Sequence, residues 1–351
     1  MVTIDKSAPI LVTGGNGYIA SWIIKQLLDQ GFTVHSTVRD PKQKARVGHL
    51  EKMTQNAPGS LQLFKADLLE PGSFDQSIKG CELVIHTASP FILKGFKDAH
   101  AALLHPATEG TRNVLEGVNR TDTVKRVVLT SSVASICGDA VDLKQVPGGV
   151  FTEEHWNTTS NIDHQPYSYS KVSAEREAWA INKQQHRWDM VVINPSLVVG
   201  PSLTQGSNSA SIDILKQFGD GTLKVGVAKF YCGLVDVRDV AQGHISAGFT
   251  PQASGRHILS ATEMSMLDMG KILRKHFGDR YPFPTRQLPK FLTWLLGPIV
   301  AGIPRAFVSK NVGYPLRFDN SYSKQDLAQT YRPIEQSLIE HFTQIIDDKL
   351  L

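Results

Sequence analysis

A chain of 351 residues and 38.6 kDa is too long for one small module and predicts two units, or one large α/β fold carrying a lobe. Hydrophobic residues at 41% and charged residues at 20% exclude wholesale disorder and collagen-like repeats. Lys+Arg 37 against Asp+Glu 33 leave a net +4 that is spread along the chain, so no nucleic-acid partner is expected; a few cations beside one anionic cofactor account for the excess.

The N-terminus, MVTIDKSAPILVTGG, has too short an apolar run for a signal peptide. Strand-length runs follow at 9–13, 32–38, 61–66, 82–87, 125–131 and 189–194, rich in Val, Ile and Leu. Between them, 17–30, 98–119 and 167–187 carry helical apolar spacing. Strand and helix alternating in this way predict an α/β fold with a doubly wound parallel sheet of Rossmann type, buried on both faces. Ligands on such sheets bind beyond the carboxyl ends of the strands. After Pro195 the alternation loosens into a Gly-, Ser- and Asn-rich stretch, and 233–259 reads as a return to the sheet. Residues 1–194, plus about 233–260, are therefore expected to form the nucleotide-binding domain, and 195–232 with 261–351 a smaller substrate-binding lobe. The apolar stretch Phe291 to Val308 is broken by Gly297, Pro298, Gly302, Pro304 and Arg305. It predicts broken helices on a lobe surface and no membrane span, with a membrane-touching patch as the alternative reading.

The first strand runs straight into VTGGNGYIA, comprising Thr13, Gly14, Gly15, Asn16, Gly17, Tyr18, Ile19 and Ala20. Glycine lets backbone turn sharply and approach a pyrophosphate, while the helix start offers free N–H groups. The position at the head of a βαβ series makes this a dinucleotide site. The second strand ends Val38–Arg39, with Lys42, Lys44 and Arg46 following and Asp40 one residue late for a ribose diol. Arg39, with Lys44 or Arg46, is expected to hold the 2′-phosphate of NADP(H). Asp67, followed by Leu68, closes the third strand either as an acceptor for the adenine amine or as a turn cap.

Tyr167 and Lys171 lie four apart on one helical face, and the fifth strand ends Thr130–Ser131–Ser132. Hydroxyl, phenol and ammonium converging near a nicotinamide make a proton-delivery site, in which the ammonium and the oxidised nicotinamide are expected to lower the phenol pKa. The histidines show no HExxH or other metal pairing, so no metal is expected. Cys81, Cys137 and Cys232 lie far apart without CxxC spacing, which fits a reducing, cytoplasmic setting.

The motifs TGxxGxxA, a Ser-rich fifth strand end and YxxxK, in that order, resemble the extended branch of the short-chain dehydrogenase/reductase superfamily. More narrowly, STVRDP, HTASP, VVLTSS, YSYSK and NPSLVVGP are similar to the dihydroflavonol 4-reductase and cinnamoyl-CoA reductase group and to microbial NADPH-dependent carbonyl reductases. The resemblance covers residues 10 to about 201 well, and beyond that only LVDVRDVAQGHI. It implies that Tyr167 is the proton donor and that Lys171 binds the nicotinamide ribose. Ser132 would hold the substrate oxygen, with Ser131 as its rival for that role. Thr87, Ala88 and Ser89 would approach the diphosphate, Thr130 would line the cofactor, and Pro195, Leu197 and Val198 would hold the carboxamide. Pro90, Phe91 and Val133 would face substrate. The run HPATEGT carries His105 and Pro106 where many extended members carry a water-ordering Asn, so that role does not transfer. Asp236, Arg238 and Asp239 read as a structural ion-pair network. The expected protein is an NADPH-dependent ketone or aldehyde reductase, monomeric or homodimeric, with a small carbonyl or alcohol substrate. A nucleotide-sugar epimerase or dehydratase, and a non-catalytic dinucleotide sensor, are the alternatives.

Overall fold

The Val- and Ile-rich runs form β1 (Ile10–Thr13), β2 (Thr33–Val38), β3 (Ser60–Lys65), β4 (Leu83–His86), β5 (Arg126–Thr130) and β6 (Asp189–Pro195). Later strands are β7 (Leu197–Val199), β8 (Val227–Ala228), β9 (Tyr231–Asp236), β10 (Gly255–Leu259), β11 (Thr262–Ser265) and β12 (Gln287–Leu288). The first helices are α1 (Tyr18–Asp29), α2 (Lys44–Thr54), α3 (Asp75–Ile78), α4 (His105–Arg120), α5 (Pro166–Asn182) and α6 (Ala210–Gly219). They are followed by α7 (Val237–Phe249), α8 (Met266–Phe277), α9 (Lys290–Val300), α10 (Arg305–Asn311), α11 (Ser321–Asp326) and α12 (Ile334–Asp347). This computed structural model describes residues 1–89, 98–204 and 210–351.

Among the described residues, seven strands pair in the order β10-β6-β5-β4-β1-β2-β3, and every pairing is parallel. Parallel strands need crossovers, and the helices supply them on both faces. One core packs Ile23, Ile24 and Leu27 of α1 and Val240 and Ile245 of α7 against the sheet. The other packs Val114 and Val118 of α4 and Ala178 of α5 with Phe74 and Ile78. The strand order reverses between β1 and β4, and the glycine turn after β1 lies at that switch point.

Three expectations change. Only the end of 233–259 rejoins the large sheet: β10 pairs with β6, whereas β9 pairs with β7 and β11 in a three-stranded sheet. β10 occupies the free edge of β6, and the Ser196 N–H donates to Leu259 O at 3.0 Å, so the chain leaves the sheet before β7. The helix expected over 98–119 begins as a π-helical turn, His100–Leu104, and becomes α-helical at His105. Pro106 has no N–H to give back to residue 102, which is where the register changes. The helix expected to reach 187 stops at Asn182, because Gln185 Oε1 accepts from the N–H groups of Arg187 and Trp188 at 2.7 and 3.0 Å.

A third core belongs to the lobe. Ile212, Leu215 and Phe218 of α6, Met269 and Leu273 of α8, and Leu338, Phe342 and Ile345 of α12 are buried together. The Asp236, Arg238 and Asp239 trio is structural. Asp236 caps α7 and pairs with Arg238, Arg238 reaches Glu340 of α12 at 2.7 Å, and Asp239 pairs with Arg332.

Candidate active site

The glycine turn is built for a close backbone approach. Gly14 has φ +69°, and a Cβ added at Gly15 would lie 2.1 Å from Ser36 Oγ. Gly17 is the N-cap of α1, no side chain caps it, and no carboxylate sits in the first turn. The first N–H groups of α1 therefore have no intrahelical acceptor and face outward from the positive end of the helix, as a pyrophosphate requires. Tyr18 Oη donates to Gly200 O at 2.5 Å, so the ring is turned toward the lobe and its backbone faces the turn.

Thr13 is fully buried. Its hydroxyl oxygen accepts from the N–H groups of Thr87 and Ala88 at 3.1 and 3.0 Å, so its proton goes to His86 Nδ1 at 2.8 Å. Burial pushes His86 down to about 3, which keeps that nitrogen an acceptor. Thr13 thus shapes the 87–88 backbone against Gly14. Pro90 and Phe91 lie outside the described residues.

At the end of β2, Arg39 is exposed and Asp40 Oδ1 is turned onto the Lys42 N–H at 2.9 Å. Lys44 pairs with Glu51 at 2.5 Å on the surface of α2, and Arg46 is exposed. Asp67 accepts from the Leu69 N–H at 2.9 Å, so the capping role is present. Leu68 is held by Asn113 Nδ2, which donates to its carbonyl at 2.7 Å.

The Ser, Tyr and Lys side chains come together at the carboxyl edge of β5. Ser132 caps the short turn Val133–Ser135, accepting from the Ala134 N–H at 3.1 Å, and its hydroxyl neighbours the Tyr167 phenol and favours its ionised form. Lys171 Nζ lies 5.9 Å from the Tyr167 ring centroid and donates to Ser89 Oγ at 3.1 Å. Ser131 is engaged elsewhere: its buried Oγ donates to Glu175 and meets Ser135 Oγ at 2.9 Å. Of the two serines, Ser131 is thus the one tied to a buried carboxylate. Thr130 Oγ1 lies 2.7 Å from His244 Nε2, Val133 is partly exposed, Pro195 ends β6, and Leu197 and Val198 lie in β7.

The acidities differ from expectation. Burial pushes the Tyr167 phenol above its ordinary value, and the neighbouring Ser132 hydroxyl only partly offsets this. The Lys171 amine is pushed down to about 8 by burial, while Glu175 pulls it back up. In the protein alone, desolvation outweighs any help the lysine gives the phenol.

Sequence reasoning missed two supports. Glu175, one turn beyond Lys171, is buried and accepts from Arg256 Nε at 2.5 Å and Asn194 Nδ2 at 2.9 Å. An acid at i+4 from Lys171 on the buried helix face was the signal available. Gln165, just before α5, has φ +56°, a conformation costly for a side-chain-bearing residue. Its amide donates to Gly138 O at 2.6 Å and Asp139 Oδ1 at 2.7 Å, which holds the strained residue next to Tyr167. No sequence pattern marks it. A broad cleft of about 720 Å³, lined by Trp156, Arg176, Trp179 and Arg256, sits near the amino end of β10, away from this cluster. Among the described residues, no group of three or more His, Cys, Asp or Glu could hold a metal ion.

A parallel sheet in this order, with a glycine turn at its switch point and a Ser-Tyr-Lys cluster beyond β5, defines a dinucleotide-dependent oxidoreductase fold. The family described as NAD dependent epimerase/dehydratase matches residues 10–259, and the chain belongs to it, within the extended short-chain dehydrogenases/reductases. It is 41% identical over 284 residues to cinnamoyl-CoA reductase CAD2 of Medicago truncatula, spanning 80% of this chain and 82% of that one. It is 36% identical over 295 residues to a putative anthocyanidin reductase of Ginkgo biloba, spanning 81% and 84%. Among solved structures, yeast methylglyoxal/isovaleraldehyde reductase Gre2 complexed with NADPH superposes with TM-score 0.75 at 25% identity, covering 97% and 99% of the two chains. Gre2 from Candida albicans, also with NADPH, gives 0.76 at 27% identity over the same shares.

Proposed function

We propose that the protein reduces a ketone or aldehyde to an alcohol with NADPH, Tyr167 supplying the proton. The observation that carries this reading is the convergence of Ser132, just beyond β5, with Tyr167 and with Lys171 one turn further along α5, at the carboxyl edge of the sheet beside the glycine turn. When bound, NADPH supplies the hydride that reduces the carbonyl carbon. The backbone of Gly14, Gly15, Asn16, Gly17 and Ile19 cradles the diphosphate, and Arg39 and Arg46 meet the 2′-phosphate. Lys171 donates to the nicotinamide ribose. Ser132 donates to the substrate oxygen, and as charge develops there Tyr167 transfers its phenolic proton to it. The raised phenol pKa suits this direction, because the donor stays protonated until substrate oxygen becomes the stronger base. Ser131, held by Glu175, takes no part.

The β2 end favours a reductase over an epimerase. Asp40 is spent on the Lys42 N–H, so no carboxylate is placed for the ribose diol of a tightly held NAD. Retention of Ser132, Tyr167 and Lys171 favours an enzyme over a sensor. A cytoplasmic setting accords with three free cysteines whose thiols burial pushes up to about 12. Among the described residues, no helix is long and apolar enough to cross a membrane.

Tyr167→Phe tests the proposal. It should bind NADPH normally yet lose about 10²–10⁴ in turnover with aryl aldehydes, ketoesters or flavanonols, followed by NADPH absorbance. Tyr169→Phe, two residues along the same helix, should keep most activity. A Tyr167→Phe enzyme as fast as the wild type would overturn the assignment.

A further inference from the structure

The segment from Phe291 to Val308 has no part in the proposed chemistry, and its surface is unusual. α9 buries only Thr293 and Gly297, against the turn at Ile303 and Val308 of α10. Phe291, Leu292, Trp294, Leu295, Leu296, Ile299 and Val300 are all exposed, Ile299 and Val300 by 80% and 79%. A helix apolar nearly all round normally lies inside a protein or against lipid. At 11 residues α9 rises only about 16 Å, too short to cross a bilayer but long enough to lie in its interface.

Charge identifies what lies against it. From Arg280 to Phe318 the chain carries Arg280, Arg286, Lys290, Arg305, Lys310 and Arg317 and not one carboxylate. Lys310 is drawn toward buried Asp139 at 3.3 Å, and among the described residues the other five make no ion pair. Arg305 stacks over Trp294 at 4.9 Å, and Lys290 and Lys144 both stand over Tyr314, at 4.4 and 4.7 Å. Aromatic rings capped by cations beside an apolar helix are suited to the headgroup layer. A second copy of the chain would bring the same cations against themselves across a two-fold axis, which repulsion disfavours. We propose that α9 and its basic rim dock the protein reversibly onto an anionic membrane surface, with the apolar side chains entering the headgroup boundary. The face is fixed to the rest of the molecule: Asn311 of α10 donates to Asp139 Oδ1 at 2.6 Å and accepts from the Ala140 N–H at 2.9 Å.

Cosedimentation of the full chain with phosphatidylcholine vesicles, with and without about 30% phosphatidylserine, tests the proposal. Binding should appear with phosphatidylserine, fall in about 0.5 M NaCl, and shift Trp fluorescence to the blue. Ile299→Glu and Val300→Glu should each weaken it about tenfold or more, and Arg305→Glu should weaken it through charge. These exposed positions leave the fold intact, so melting temperature and turnover of a water-soluble aldehyde should not change. No binding to either vesicle, or binding that ignores both phosphatidylserine and Ile299→Glu, overturns the proposal. So does a wild-type dimer that ignores vesicles and that Ile299→Glu converts to a monomer, which would make this face a contact between copies.

Discussion

At Lys171, stability and chemistry oppose each other. Only 8% of the residue is exposed, and burial lowers its amine from 10.5 to about 8. Between those values the folded protein binds fewer protons here than the unfolded chain does. This site's effect on stability is therefore most unfavourable below about pH 8 and is relieved as pH rises toward 10.5. Lys171→Met should stabilise the cofactor-free protein near pH 7 by on the order of 1–3 kcal/mol, with little gain near pH 10.5, while turnover is lost. Urea unfolding of both proteins at the two pH values measures this, and an equal difference at both would remove titration of Lys171 as the cause. Glu175, held by Arg256 at 2.5 Å with both side chains buried, lies beneath the lysine and limits how far its amine falls.

Among the elements, the end of β2 is where the proposed function locates the cofactor choice. Arg39 makes no ion pair among the described residues, whereas Lys44 is already matched with Glu51. Arg39→Asp should cost NADPH about 1.4 kcal/mol or more relative to NADH, a tenfold or greater loss of preference. Steady-state efficiencies with the two cofactors check it, and a wild type indifferent between them would refute the role. The β1–α1 turn and the Tyr167–Lys171 pair were legible in the sequence because each is a short-range pattern, four residues or a strand-to-helix junction long. The support beneath them was not legible, because Glu175 and Arg256 meet across 81 positions and Gln165 is held by Gly138 and Asp139 from another loop. The burial of Thr13 was hidden for a related reason. Its spacing marks it as part of the glycine motif, but its burial depends on how β4 delivers Thr87 and Ala88. The small sheet also escaped the pattern, since nothing local to β9 says whether β6 or β7 is its neighbour.

At the scale of the whole molecule, the lobe and the large sheet are stitched together close to the site. Tyr18 Oη and Trp22 Nε1 of α1 donate to Gly200 O and Pro201 O at 2.5 and 2.7 Å, Arg238 of α7 pairs with Glu340 of α12 at 2.7 Å, and the Gly200 N–H in turn donates to His341 Nδ1 of α12 at 3.2 Å. Burial pushes His341 down to about 4, so that nitrogen remains an acceptor at neutral pH. One turn from the Arg238–Glu340 bridge, Phe342 is fully buried and packs its ring 5.1–5.3 Å from those of Phe277, Tyr281 and Phe283. Phe342→Ala removes the centre of that cluster and should cost about 3–5 kcal/mol. Because α12 is bound to α1 and α7 as well as to α8, the loss should not release the lobe alone. Unfolding in urea should shift to a lower midpoint as one transition, with tryptophan fluorescence and far-ultraviolet circular dichroism superimposing. Two separated transitions would mean that the polar stitches around Gly200 are too weak to make sheet and lobe unfold together, and the lobe would then stand as an independent unit.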